Sequence, residues 1–185
     1  NIKAPGFEFA KSSGREDFYY PASRRMINQS LSTTDVLHFH NLHGHYFDLR
    51  MLSRVSAKKQ VLITMHDEYL YTGHCAYTFD CNHWKSGCGA CPYLETYPSI
   101  RRDNTHQNWE IKRNIFSKSN LMLVAPSVWL VDRAKSSLLS HLPIRHIPNG
   151  IDLQIFKPSS KMAAREELGV RKDDFVILFA AAGGK

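Results

Sequence analysis

Three observations predict an α/β fold, a Rossmann-like parallel sheet with helices on both faces. The strand candidates are continuous apolar runs, as in strands buried on both faces, and not the alternating pattern of a half-solvated sheet. Helical patterns lie between most of them, which points to parallel pairing. Polar and glycine residues gather where the runs end, the edge at which parallel sheets hold their ligands.

The elements follow in order. Residues 1–17 are polar and punctuated by Gly and Ser. A helix is expected from Ala22 to about Ser32, then a strand from Asp35 to His40. Phe47, Leu49, Leu52 and Val55 space a helix over Tyr46–Val55, and Val61–Met65 is the next strand. Residues 67–102 break the rhythm and hold all four Cys among several Gly, Pro and aromatic residues. A helix over about Thr105–Ser117 precedes the strand Leu121–Ala125. Ser127 suits the N-cap of a helix running to about Leu139, because its hydroxyl can take an orphan amide. Ile144–Ile147 is a short strand, Asn149-Gly150 a turn, Arg165–Leu168 part of a helix and Phe175–Phe179 the last strand.

At 185 residues the chain can bury about 70% of its unfolded surface without a disulfide scaffold. With 43% hydrophobic and 22% charged residues it is neither disordered nor fibrous. No apolar run approaches the roughly 18 residues of a membrane span. The formal charge of +7 suits phosphorylated small molecules, anionic headgroups or nucleic acid without choosing among them, and its basic residues are scattered. Asn1 and the Gly-Gly-Lys end, directly after a strand pattern, suggest an excerpt truncated at both ends.

Residues at the expected strand ends are the first site candidates: His40 and Asn41, His66 and Asp67, Ser127, Asn149, and Gly183-Gly184. His38 and His40 share one strand face and, with His43 and His45, make a histidine-rich end. Hydrogen-bonded imidazoles are commoner in such a place than a metal site. His66 either satisfies its own structure or offers a hydrogen bond to a polar substrate group. Gly183, Gly184 and Lys185 either cradle a phosphate or close a plain turn. The cysteines stand as Cys75-x5-Cys81-x6-Cys88-x2-Cys91. Thiolates at such spacing suit a structural zinc, although the x5 pair is unusual; unligated or paired cysteines and a redox role are the other readings.

The stretch HDEYLYTGHCAYTFDCNHWKSGCGACPYLETYP, with SVWLVDRAKSS and IPNGIDLQIFKP, resembles bacterial family 4 glycosyltransferases of the GT-B fold. The likeness is strongest to the branch that builds exopolysaccharides such as colanic acid, and it spans about residues 35 to 182. It implies two Rossmann-like domains, an acceptor-side one followed by one that binds a nucleotide-sugar. Residues 1–147 would be the acceptor-side domain without its N-terminal part, carrying the Cys-rich insertion 67–102. Residues 148–185 would be the interdomain connection and the first strand of the donor-binding domain.

By the same resemblance, His66 and Asp67 are catalytic, and Gly183 and Gly184 approach the donor diphosphate. His40, Asn41 and Ser127 line the acceptor-side cleft, and Asn149, Gly150 and Asp152 form the connection. The implied reaction passes a sugar, with retention, from a nucleotide-sugar to a saccharide or lipid-linked acceptor. No catalytic metal is expected, so zinc at Cys75, Cys81, Cys88 and Cys91 would be structural. The implied setting is cytoplasmic, at the inner face of the membrane, with peripheral membrane contact and no nucleic acid. The excerpt would not turn over substrate alone. The competing reading, a zinc-stabilised nucleic-acid-binding module, rests on charge and cysteines and lacks interleaved basic and aromatic residues.

Overall fold

A computed structural model of the chain describes residues 10–15, 18, 20–44 and 46–179. The chain divides into two compact units, Asn1–Pro148 and Asn149–Lys185. In the first, helix α1 (Pro21–Thr33) leads into strand β1 (Val36–His40), and α2 (Met51–Ser56) leads into β2 (Gln60–Thr64). After the insertion come α3 (Thr105–Ser117), β3 (Met122–Ala125), α4 (Val128–Lys135) and β4 (Ile144–His146). All three strand pairings are parallel, in the order β1-β2-β3-β4. The predicted α/β class with a parallel sheet therefore holds.

The register sorts the side chains into two faces. Leu37 stands beside Val61, Phe39 beside Ile63, and Ile63 beside Leu123. Those residues join Ile27 of α1, Leu52 and Val55 of α2, Ile115 and Phe116 of α3 and Leu130 and Ala134 of α4 in one core. Residues of these helices thus pack with this strand face in one core. The opposite face carries Val36, His38, Leu62 and Met122, with Val36 58% exposed.

Three elements differ from expectation. The helix expected at Tyr46 begins only at Met51, because the Asp48 carboxylate accepts the Arg50 N–H (3.0 Å) and its guanidinium, forming a turn. Phe47 and Leu49 are fully buried, but from that turn rather than from a helix. Helix α4 stops at Lys135, where further turns carry Leu139 into the core. Phe175–Phe179, expected as a strand, forms no ladder among the described residues and Phe175 is 90% exposed. An apolar run becomes a strand only where another strand can pair with it.

The second unit holds α5 (Lys161–Glu167), capped by Ser160 and closed by Gly169 at φ +65, the left-handed conformation that ends a helix without a Cβ clash.

Candidate functional site

The C-terminal ends of β1 and β2 lie side by side, since His40 is in register with Thr64. The chain leaves β2 through Met65 to His66, so His40 and His66 meet: His40 Nδ1 and His66 Nε2 are 2.9 Å apart, their rings stacked at 24°. One hydrogen lies between those nitrogens. If His40 donates it, His66 carries its own proton on Nδ1 and offers a donor; if His66 donates, Nδ1 offers an acceptor. Both imidazoles are exposed. His38 sits on the same strand face, 4.2 Å from the His40 ring, and its Nε2 meets the Thr64 hydroxyl at 2.8 Å. Burial, then the neighbouring His40 and His66 rings, lowers the pKa of His38 below its ordinary value, so it resists protonation.

Asp67 is placed differently. Its Oδ1 accepts the Tyr69 N–H at 3.0 Å and its Oδ2 meets His43 Nε2 at 2.7 Å. His43 is held from its other nitrogen by the Tyr97 hydroxyl at 3.3 Å and lies edge-on to Tyr69. With both oxygens occupied and a side chain only 13% exposed, Asp67 orients its neighbours and does not itself face solvent. Asn41 adopts φ +44, which turns the chain away from β1, and the Tyr46 hydroxyl donates to the carbonyls of His40 (2.9 Å) and Asn41 (3.1 Å). A cavity of about 10 Å³ under these residues, lined by His43, Thr64, His66 and Asp67, has room for no more than a water. A ligand would therefore meet the strand ends from outside.

Ser127 follows β3 at the same edge of the sheet, but its hydroxyl is committed to the Leu130 N–H as the N-cap of α4 (3.2 Å). Asn149, Gly150 and Asp152 belong to the second unit, where Asp152 Oδ1 accepts the Gln154 N–H at 2.8 Å. Gly183, Gly184 and Lys185 lie outside the described residues, as does His45. The four cysteines do converge: Cys75, Cys81, Cys88 and Cys91 line one small cavity with His74, His83 and Trp84.

Sequence reasoning missed a buried ionic network next to the strand ends. Glu68, 3% exposed, accepts from the Tyr71 hydroxyl (2.7 Å), the Thr78 N–H (2.8 Å) and the Arg133 guanidinium. Arg133 also donates to the Thr78 hydroxyl and lies 4.5 Å over the Trp84 ring. The network ties α4 to the insertion and satisfies a charge that would otherwise be costly to bury. Burial, then the Glu68 charge, pushes the Tyr71 phenol well up, so it stays a donor. Lys112, fully buried on α3, donates to the Tyr69 (2.7 Å) and Thr72 (2.9 Å) carbonyls. The available signal was the run Asp67-Glu68-Tyr69-Leu70-Tyr71, where a carboxylate sits inside an aromatic stretch and must find partners.

No protein-family model matches the chain. It is 36% identical over 128 residues to the putative colanic acid biosynthesis glycosyl transferase WcaC of Escherichia coli strain K12. That match covers 64% of this chain and 31% of that protein, so the chain spans about a third of the relative's length. No helix among the described residues is long and apolar enough to cross a membrane.

Proposed function

We propose that the chain is part of a glycosyltransferase of family 4 and GT-B architecture. In the complete enzyme it supplies the acceptor-side domain, and residues from Pro148 onward lead into the domain that binds a nucleotide-sugar. The reaction breaks the bond between the donor's anomeric carbon and its diphosphate. A hydroxyl of a saccharide or lipid-linked saccharide bonds to that carbon with retained configuration, and its proton leaves with the nucleoside diphosphate. The relative's name, a colanic acid biosynthesis glycosyl transferase, supports a role in exopolysaccharide assembly, and the proposal sets it at the cytoplasmic face of a membrane.

One observation carries the reading for this chain: two exposed, mutually bonded imidazoles at the carboxyl ends of adjacent parallel strands. His66 hydrogen-bonds a hydroxyl of the transferring sugar through Nδ1, and His40 fixes its ring and tautomer. Asp67 positions the turn through His43 and Tyr69. The test uses the complete enzyme with UDP- and GDP-hexoses. His66→Ala is expected to lower the transfer rate by about 10²–10⁴, the usual worth of a positioned proton-transfer or hydrogen-bonding side chain, with an unchanged unfolding midpoint. Full transfer by that variant would sink the assignment.

A further inference from the structure

The insertion has few regular hydrogen-bond ladders, only two short 3-10 turns at Tyr69–Tyr71 and His83–Lys85, yet it brings all four cysteines of the chain to one place. Cys75, Cys81, Cys88 and Cys91 line a cavity of about 20 Å³. Chance packing of four thiols from 17 residues of irregular chain would need no such convergence. We propose that these four cysteines bind one structural zinc ion as a tetrathiolate.

The backbone around the sulfurs is shaped for that role. The Gly73 N–H points at Cys88 Sγ at 3.2 Å. Amide donors aimed at sulfur stabilise thiolate ligands and fix their orientation. Gly73 can come so close only because it lacks a side chain: a Cβ there would stand 2.5 Å from the Thr105 carbonyl oxygen. Between Cys88 and Cys91 the chain turns through Gly89 at φ +137 and Ala90 at φ +46, which lets two sulfurs of a Cys-x2-Cys pair face one point. Asp103 clamps the same turn by accepting the Cys91 N–H at 2.8 Å.

The side chains as they stand do not complete a ligand set, since no three His, Cys, Asp or Glu among the described residues already have metal-binding spacing. Cys91 Sγ rests 3.5 Å from His74 Nε2, so binding the ion requires that side chain to leave this contact. A divalent cation displaces the protons and repays the burial of the sulfurs. Soft thiolates in tetrahedral sets select zinc, and four of them leave no open position for catalysis.

The ion would stiffen more than its own loop. The Ala76 N–H bonds the Tyr97 carbonyl at 2.8 Å and His74 Nδ1 bonds the Pro98 carbonyl at 3.0 Å. Those contacts carry the Tyr97 hydroxyl to His43, and so reach Asp67.

The test is elemental analysis of the protein purified under reducing conditions, followed by exchange of the metal for Co(II). One zinc per chain is expected. The cobalt form should show the sulfur-to-metal charge-transfer intensity of four thiolates, unchanged in His74→Gln. All four thiols should resist alkylation until a chelator is added. This last readout uses the wild-type chain, so it stands even if Cys88→Ser or Cys91→Ser fails to fold. No bound metal, iron in place of zinc, thiols already paired as disulfides, or a cobalt spectrum lost in His74→Gln would each overturn the proposal.

Discussion

The strand ends and the insertion that follows them are joined at Asp67, yet they are built on opposite plans. At the strand ends regular backbone does the positioning, and the side chains it presents, His40 and His66, remain exposed and bonded chiefly to each other. In the insertion the backbone is irregular, and side chains do the positioning: buried Glu68, Tyr71 and Trp84 of the loop itself, buried Lys112 of α3 and half-buried Arg133 of α4. The difference teaches where each region is vulnerable. An exposed imidazole on a rigid strand can be removed without disturbing the fold, whereas a buried charge holding irregular loops cannot.

The largest effect that would break this comparison is expected at Glu68. Glu68→Ala leaves Arg133 without its buried counter-charge, and should cost about 3–5 kcal/mol of stability, as the loss of one member of a buried ion pair does. Urea unfolding measures it; a loss below about 1 kcal/mol would mean that the insertion is held by something other than this network. Ser127→Ala comes next. It removes the N-cap of α4, beside the sheet edge, and should cost about 1 kcal/mol in the same measurement. No change would show that the α4 terminus is satisfied another way.

The smallest effect is a pH dependence at the strand ends. His38 has its pKa lowered in the folded chain, so between that lowered value and the ordinary 6.5 the unfolded state binds more protons. Its contribution is fully present above 6.5 and is lost as pH falls below it. Wild type should therefore lose more stability than His38→Gln between pH 7 and pH 5.5. Equal losses would mean that His38 is not shielded from protonation by its neighbours.

Much of the sheet was legible because its signals are local. Apolar runs such as Val61–Ile63 and Leu123–Ala125 name strands, and the pattern of α3 and the Ser127 cap name helices, since period and capping chemistry are written in adjacent residues. Local signals failed at Tyr46–Arg50, where the Asp48–Arg50 turn overrode helical spacing, and at Phe175–Phe179, where an apolar run has no partner strand among the described residues.

His40, His66 and the cysteines could be singled out by residue type and by their places after a strand or in a Cys-x2-Cys pair. Their pairing could not be, because it depends on strand register: only the β1–β2 alignment sets His40 beside the exit of β2. The same holds for Glu68 and Arg133, 65 residues apart. Composition and spacing determined which chemistry this chain carries and which elements bear it. Tertiary packing alone decided which groups meet, since long-range contacts follow from how whole elements bury their apolar faces, and no local stretch of sequence encodes that geometry.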